Sequence, residues 1–305
     1  MAENVLNNTT NAVFIPTIIA QKAIGKFPSY LNLARTISRD SDWTVTKEGA
    51  TIQVPKRGAV IANDKVAGEN FTKQNPTATN VSVTLDKHKE VTLTIDDVTK
   101  VLENQDTQNG YAEDGALALA EAVETSLASM HAQIENTLTW DSTSDATIDG
   151  VMLAIRKFFT DQKVPRLEQR YFYADGTVFN DLLGVDKYTR FDARGANESI
   201  SQGQVVRTYG IESWESQVVQ KSGSPAAYHN LAYTKNALVL ASRPLEKPMA
   251  GTGVLSGVIN DPSVGLSLRT LFWYNGDLGA HQLTLDLLYG VAIMDQRRIV
   301  EVESF

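Results

Sequence analysis

The sequence contains no cysteine in its 305 residues. This excludes disulfides, thiolate zinc sites, iron–sulfur clusters and a cysteine nucleophile. Positive charge is also scarce, because 28 Lys and Arg residues stand against 36 Asp and Glu residues and the net charge is −8. That balance disfavours a protein whose main task is to bind nucleic-acid phosphates.

Long apolar runs are missing as well. No stretch approaches the roughly 20 consecutive apolar residues of a transmembrane helix, and the start, MAENVLNNTTNAVF, lacks the features of a signal peptide. We therefore expect no membrane partner and a protein that stays where it is made. With 42% hydrophobic and 21% charged residues, the composition is that of an ordinary folded protein, and the length predicts about two domains.

Residues that usually carry chemistry form no recognisable pattern. The four histidines, His88, His131, His229 and His281, are far apart and show no metal-binding spacing. The glycines of segment 251–257 do not fit the dinucleotide-binding spacing, and no nucleophile elbow or phosphate-loop motif occurs. We therefore predict no catalytic residue, no cofactor and no metal, and we expect the histidines to be structural.

Residues 1–48 are not typical of the start of a self-contained domain. Polar residues and two prolines interrupt an apolar set that includes Phe14, Ile15, Ile18 and Ile19. We predict an extended arm with one or two helical turns. Its apolar side chains are too numerous to remain in water, so the arm needs a surface on which to lie.

A long hairpin is predicted next. Apolar residues alternate with polar ones, as in half-buried strands, at Ala50, Ile52, Val54, then Val81, Val83, Leu85, then Val91, Leu93 and Ile95. A polar segment at 63–80, with glycine and proline, would form the tip. Because an isolated two-stranded hairpin is only marginally stable, it should pack on the body of the chain or on another copy.

The strongest helical periodicity covers residues 111–139. Apolar residues recur there every three or four positions and predict one helix on the order of 40 Å long. Glu121, Glu124 and Glu135 are expected on its solvent-exposed face.

The second half alternates between helix and strand patterns, and we predict its elements as follows: a helix at 148–159, a strand at 170–174, a helix capped by Asp175 and ending at Leu183, a polar loop at 187–204, strand segments at 205–219 and 231–241, and sheet strands at 266–274 and 283–302 with a hairpin turn at Asn275-Gly276.

The order of these pieces resembles the major capsid protein of tailed bacteriophages, which has the Hong Kong 97-type coat fold. Several short segments are similar to recurring phrases of that family: VFIPTIIA at 13–20, GATIQVP at 49–55, TLTIDD at 92–97, LAYTKNA at 231–237 and DLLYGVA at 286–292. The resemblance covers essentially the whole chain.

The resemblance implies an α+β fold whose parts would be an N-terminal arm at 1–48, an E-loop hairpin at 49–97, a peripheral domain with a spine helix at 98–139, an axial domain at 140–262, and C-terminal strands returning to the peripheral domain at 263–305. It also implies hexamers and pentamers that form an icosahedral shell around double-stranded DNA, in a virion capsid assembled in the host cytoplasm. Expected partners are other copies of the chain, a separate scaffolding protein, a portal, a decoration protein and DNA contacted without sequence specificity.

We expect the subunit contacts to involve the arm, the hairpin and a loop near the capsomer axis. The candidate residues are Phe14, Ile15, Ile18, Ile19, Ile52, Val54, Lys56, Arg57, Phe71, Arg190, Phe191 and Arg194. Three alternatives stay open: the shell of a non-viral, encapsulin-type compartment, another virion protein such as a tail component, and an α/β enzyme with an unrecognised site. Particle contents would separate the first from a virion shell, and a small-molecule-binding monomer of about 33 kDa would favour the enzyme.

Overall fold

The computed structural model describes residues 31–39, 51–56, 58, 60–68, 70–96, 105–141, 147–185, 207–249, 251–261 and 265–305. Its α-helices are α1 (Asn32–Thr36), α2 (Gln105–Ala128), α3 (Asp149–Asp161) and α4 (Gly176–Leu183), with 3-10 helices at Ser129–Gln133 and Gln296–Arg298. Among these helices, none is both long and apolar enough to span a membrane.

The strands are β1 (Ser38–Arg39), β2 (Thr51–Lys56), β3 (Thr79–Thr84), β4 (Lys87–Asp96), β5 (Thr137–Trp140), β6 (Arg170–Asp175), β7 (Ile211–Ser216), β8 (Lys221–Ser222), β9 (Ala227–Thr234), β10 (Leu238–Arg243), β11 (Leu255–Asp261), β12 (Leu266–Asn275), β13 (Ala280–Ile293) and β14 (Ile299–Ser304).

Two six-stranded sheets form the body of the chain. The first has the order β1-β10-β13-β12-β11, with β4 also paired to β13. The second has the order β5-β14-β9-β6-β7, with β8 paired to β9. β2 and β3 form a separate two-stranded hairpin whose register runs from Thr51 opposite Thr84 to Lys56 opposite Thr79.

Helix α2 packs where the two sheets share one hydrophobic core. Its buried residues Leu119, Val123 and Leu127 belong to the same cluster as Leu285 of the first sheet and Tyr233 of the second. On the second sheet's other face, α3 and α4 bury a separate cluster. Because both faces of this sheet are covered, its inner strands β6 and β9 are buried along almost their whole length.

The long helix is shorter at its C-terminal end than predicted. α2 is 24 residues, or about 36 Å, and a 3-10 helix follows it. Leu138 lies on β5, which pairs in parallel with β14. The helical pattern of apolar residues therefore extends past the end of the helix, into a strand. The backbone of that strand is hydrogen-bonded to a strand about 160 residues away, and no local pattern shows this pairing.

Sheet membership also differs from the expected domain division. Segment 283–302 forms two strands, β13 and β14, which lie in different sheets. Strands β10 and β11, expected in an axial domain at 140–262, belong to the first sheet, while β14 joins the second. The hairpin between β12 and β13 is present, but Asn275 pairs with Ala280, so its loop has four residues instead of the two expected at Asn275-Gly276.

The third alternating stretch does not belong to the hairpin. β4 pairs with β13 over its whole length, from Lys87 opposite Tyr289 to Asp96 opposite Ala280. The hairpin therefore consists of β2, β3 and the segment between them, and β4 connects it directly to the first sheet.

Candidate functional site

The base of the hairpin docks on its own chain. Ile52 and Val54 are 3% and 0% exposed and pack with Val83 against Val239 and Ala241. The sequence had led us to expect Ile52 and Val54 between subunits. The structure differs, because the hairpin base lies across β10 and leaves these two side chains no surface for a neighbour.

An ion-pair network also holds the paired strands that form the hairpin base, at the end of the ladder nearer the tip. Lys56 Nζ lies 3.2 Å from Asp295 Oδ1, and Asp295 also accepts hydrogen bonds from Arg297. Burial alone would raise the pKa of Asp295, but the hydrogen bonds from Arg297 and Lys56 outweigh it and lower that pKa to about 2. Lys56, a predicted contact residue, therefore has a partner within its own chain.

The tip of the hairpin, residues 60–68 and 70–78, is apolar in places and uncovered by the described chain. Its exposed large apolar side chains are Val60, Ile61, Val66 and Phe71. Phe71 is 81% exposed, and its ring lies 5.4 Å from Lys65 Nζ. Gln74 joins the two sides of the tip, since its amide accepts from Ile61 N at 3.0 Å and donates back to Ile61 O. The tip thus has internal order and a free apolar surface.

The described part of the arm lies in the core of its own chain. Leu31, Leu33 and Ile37 are fully buried, and β1 pairs in parallel with β10. The backbone N–H groups of Leu33 and Ala34 donate to the carboxyl group of Glu124 on α2, at 3.3 and 3.1 Å. This carboxyl group therefore anchors the arm to the long helix.

The sequence had suggested that Glu124 lies on a solvent-exposed face. This prediction is wrong, because the residue is only 2% exposed. Burial raises its pKa to about 7, although the hydrogen bonds from Ala34, Tyr173 and Leu33 act in the opposite direction. The Tyr173 hydroxyl donates to Oε2 at 2.9 Å. Glu121 and Glu135, in contrast, are exposed, as expected.

Two histidines that are far apart in sequence meet at one carboxylate. Nδ1 of His131 lies 3.2 Å and Nδ1 of His229 lies 2.5 Å from Glu301 Oε1. The imidazole rings are stacked with centroids 4.0 Å apart and 12° between their planes. Ser222 Oγ lies 2.7 Å from His229 Nε2. His131, at the end of the long helix, is in this way connected to two strands of the second sheet.

The ligand atoms of His131, His229 and Glu301 all lie within 4.8 Å of one another, a grouping able to hold a metal ion. A metal ion binds an imidazole nitrogen close to the plane of the ring. Two nearly parallel stacked rings cannot both direct Nδ1 at one ion unless one of them turns. As arranged, the cluster is a hydrogen-bonded contact between the two imidazoles and one buried carboxylate. Its members are separated by 98 and 72 positions, so spacing along the chain could not reveal it.

Several predicted contact residues lie outside the described residues. They are Phe14, Ile15, Ile18, Ile19, Arg57, Arg190, Phe191 and Arg194. Of the remaining candidates, Ile52, Val54 and Lys56 lie at the hairpin base and Phe71 lies at its tip. Sequence reasoning treated the tip as polar and did not single out Val60, Ile61 and Val66, although these three apolar residues are visible in that segment.

No protein-family model and no curated protein matches the sequence. Solved structures do match. The capsid structure of the cyanophage P-SCSP1u aligns with a TM-score of 0.63 at 13% identity, covering 88% of this chain and 86% of that chain. The capsid asymmetric unit of the cyanophage Pam1 aligns with a TM-score of 0.62 at 13% identity, covering 92% of this chain and 91% of that chain.

A virus-like particle from Pyrococcus furiosus is also similar, with a TM-score of 0.52 at 9% identity over 93% of this chain and 97% of that chain. Sequence identities this low show a shared fold. The chain has the mixed α+β fold of tailed-phage major capsid proteins, which confirms the fold predicted from the resemblance.

Proposed function

We propose that this chain is the major capsid protein of a tailed phage, which assembles as hexamers and pentamers into an icosahedral shell around double-stranded DNA. The observation that carries the proposal is the fold, which is shared with a phage capsid subunit over 92% of this chain and 91% of that one. The role is structural, and the chain acts by packing against copies of itself.

The hairpin tip supports this proposal because its exposed apolar side chains have no cover in the described chain. Complete burial of a large apolar side chain contributes roughly 1.5 to 3 kcal/mol. The hairpin base is fixed by Ile52 and Val54, whereas the described residues of the tip are exposed. A neighbouring copy that covers Val66 and Phe71 would gain this free energy at every contact around the shell.

The remaining parts of the proposal follow from the family resemblance. A separate scaffolding protein, a portal and a decoration protein would act during or after assembly in the host cytoplasm. Packaged DNA would meet the inner surface of the shell, which is acidic if it shares the sign of the chain's net charge of −8. Such a lining would repel DNA and let it move during packaging. A strongly basic inner surface in the assembled shell would contradict this last point.

The test is assembly of a Phe71→Asp variant, observed by electron microscopy and light scattering. We expect the concentration needed for shell formation to rise at least tenfold, because a carboxylate would have to be buried at the contact. Phe71→Leu is the matched control and should assemble as the unchanged protein does. Circular dichroism should show both variants folded, since the side chain is 81% exposed. Normal assembly of Phe71→Asp would remove the hairpin tip from the proposed contact. An unchanged protein that forms no hexamers, pentamers or shells, even when it is produced together with the proposed scaffolding protein, would overturn the capsid function.

A non-viral compartment is the second candidate, because the virus-like particle from Pyrococcus furiosus has a similar fold. Both candidates predict closed shells, so assembly alone does not separate them. The contents of native particles distinguish the two candidates. Nuclease-protected double-stranded DNA supports the virion shell, whereas a packaged protein without DNA supports the compartment.

A further inference from the structure

An open pocket of about 570 Å³ lies where the C-terminal end of α3 meets the first residues of β6 and the turn before β7. Five of its lining side chains are cationic: Arg156, Lys163, Arg166, Arg170 and Arg207. No acidic residue lines it among the described residues. The local charge of this pocket is therefore positive, although the net charge of the chain is −8. We call it the basic pocket.

Arg170 is the buried member of the set. It is 7% exposed, and its guanidinium carbon lies 5.2 Å from the centroid of the Phe159 ring. Its Nη2 donates a long hydrogen bond to Val164 O at 3.5 Å, and its Nε has no partner in the described part of the chain. Because buried N–H groups are almost always hydrogen-bonded, this side chain lacks an acceptor.

Two acidic groups close to the pocket in sequence pair with cations outside it. Asp161 lies 3.9 Å from Lys157, which does not line the pocket, and Glu168 pairs with Arg298. In the described structure, Arg156, Lys163 and Arg166 make no ion pair. Burial, followed by the charges of Arg156 and Arg166, lowers the pKa of Arg170, while Glu168 raises it. The cations therefore repel one another, and a bound anion would relieve this repulsion.

The backbone around the pocket is also unusual. Lys163 and Tyr209 have φ angles of 55° and 50°, and they are the non-glycine residues with positive φ in the described structure. Both line the pocket. Lys163 follows the end of α3, at a position where glycine is strongly preferred. A lysine there keeps a positive charge at a conformational cost, and costs of this kind concentrate at functional sites.

We propose that the basic pocket binds a multiply charged phosphate group. Guanidinium groups present paired N–H donors that match phosphate oxygens, and the pocket volume lies in the range of small-ligand sites. Arg156 and Arg166 contact the anion from the exposed side, and Arg170 offers its free Nε–H from below. The inference does not rest on the proposed function, since binding by an unassembled chain is sufficient.

The test is titration calorimetry of the full chain with tripolyphosphate at fixed ionic strength. Replacement of both exposed arginines, Arg156→Gln with Arg166→Gln, should weaken binding at least tenfold. Lys157→Gln is the matched control: it removes the same charge from the next position on α3, outside the pocket, and should leave binding within twofold. Lys163→Gly should weaken binding while the melting temperature stays the same or rises, because glycine suits the positive φ. That separation of binding from stability is not expected of a purely structural lysine.

A second titration with a short DNA duplex distinguishes two sources of phosphate. If the paired arginine variant loses both ligands, the pocket takes phosphates of a nucleic-acid backbone. If it loses only tripolyphosphate, the pocket takes a free anion. The proposal is overturned if the unchanged protein does not bind tripolyphosphate, or if Lys157→Gln weakens binding as much as the paired variant does.

Discussion

A single carboxyl group, that of Glu124, couples the arm to the long helix and makes this coupling depend on pH. Its pKa of about 7 in the folded protein exceeds the ordinary value of 4.5. Between these two values the folded state binds more protons than the unfolded state does. The contribution of Glu124 to stability is therefore complete below about pH 4.5 and is lost as the pH rises through 7.

We expect Glu124→Gln to abolish this dependence. Between pH 5 and pH 8 the unchanged protein should lose about 2 to 3 kcal/mol of unfolding free energy through this group, whereas the amide does not titrate. Urea unfolding at the two pH values measures the difference. Glu121→Gln, which changes an exposed carboxylate on the same helix, should keep the original dependence. An unaltered pH slope in Glu124→Gln would show that Glu124 is not the titrating group.

One glycine permits a close approach between strands. A Cβ built at Gly290 would lie 2.1 Å from the carbonyl oxygen of Thr84, an atom of the backbone that cannot rotate away. Gly290→Ala should therefore move the junction of β3 and β4 off β13 and destabilise the protein by about 1 to 3 kcal/mol. Thermal unfolding tests this, and Gly276→Ala, where an added Cβ meets nothing within 4 Å, should be nearly neutral.

The hairpin is an element that is fixed at one end and free at the other. Its base is held by buried apolar side chains and by the Lys56–Asp295 ion pair at 3.2 Å. Because Lys56 is partly exposed, the pair should contribute only about 1 kcal/mol. The folded pKa of Asp295, about 2, lies below its ordinary value of 3.8. This contribution is therefore present above pH 3.8 and is lost as the pH falls through 2.

Lys56→Met should loosen the hairpin base while the rest of the chain stays intact. We expect amide hydrogen exchange in β2 to become about fivefold faster at neutral pH, which corresponds to roughly 1 kcal/mol. Lys65→Met removes the same charge from the tip, outside the Lys56–Asp295 pair, and should leave exchange in β2 unchanged. Equal protection of β2 in all three proteins would mean that apolar packing alone holds the base.

Local patterns predicted those elements whose stability depends on neighbouring residues. The amphipathic period identified α3, and Asp175 caps α4 by accepting from Thr177 N at 2.9 Å. The pairing partners of the strands could not be predicted from local patterns, because β4 pairs with β13 and β5 pairs with β14 across more than 150 positions. One feature of the sequence does indicate the basic pocket. Residues 156–170 contain five cations and two acids, a local excess of positive charge in an acidic chain.

The whole molecule depends on contacts between its helices and its two sheets, and the cluster of His131, His229 and Glu301 joins the 3-10 helix after α2 to the second sheet. Burial, followed by the charge of His229, lowers the pKa of His131, while Glu301 and Glu303 raise it. The folded state thus takes up a proton at His131 less readily than the unfolded state does. Through this group, stability is lost as the pH falls below about 6.5.

His131→Gln should therefore reduce the loss of stability between pH 7.5 and pH 5.5. The measurement is best made in the Glu124→Gln background, because titration of Glu124 acts in the opposite direction over this range. Thermal unfolding by circular dichroism should show a smaller fall in melting temperature when His131 is replaced. At pH 8 the imidazole of His131 is neutral in both the folded and the unfolded state. There the pH-dependent part of the difference in melting temperature between Glu124→Gln and the double variant should vanish. Parallel pH profiles would exclude His131 as the source.

The division of β13 and β14 between the sheets also affects how the protein is made. β13 pairs with three strands of the first sheet, and β14 lies between β5 and β9 in the second. Until residues 280–304 have left the ribosome, both sheets lack an interior strand. We expect a nascent chain to remain incompletely folded, and dependent on chaperones, until this segment has emerged. Chains that stop before residue 280 would then complete neither sheet, so this topology would keep such fragments from folding.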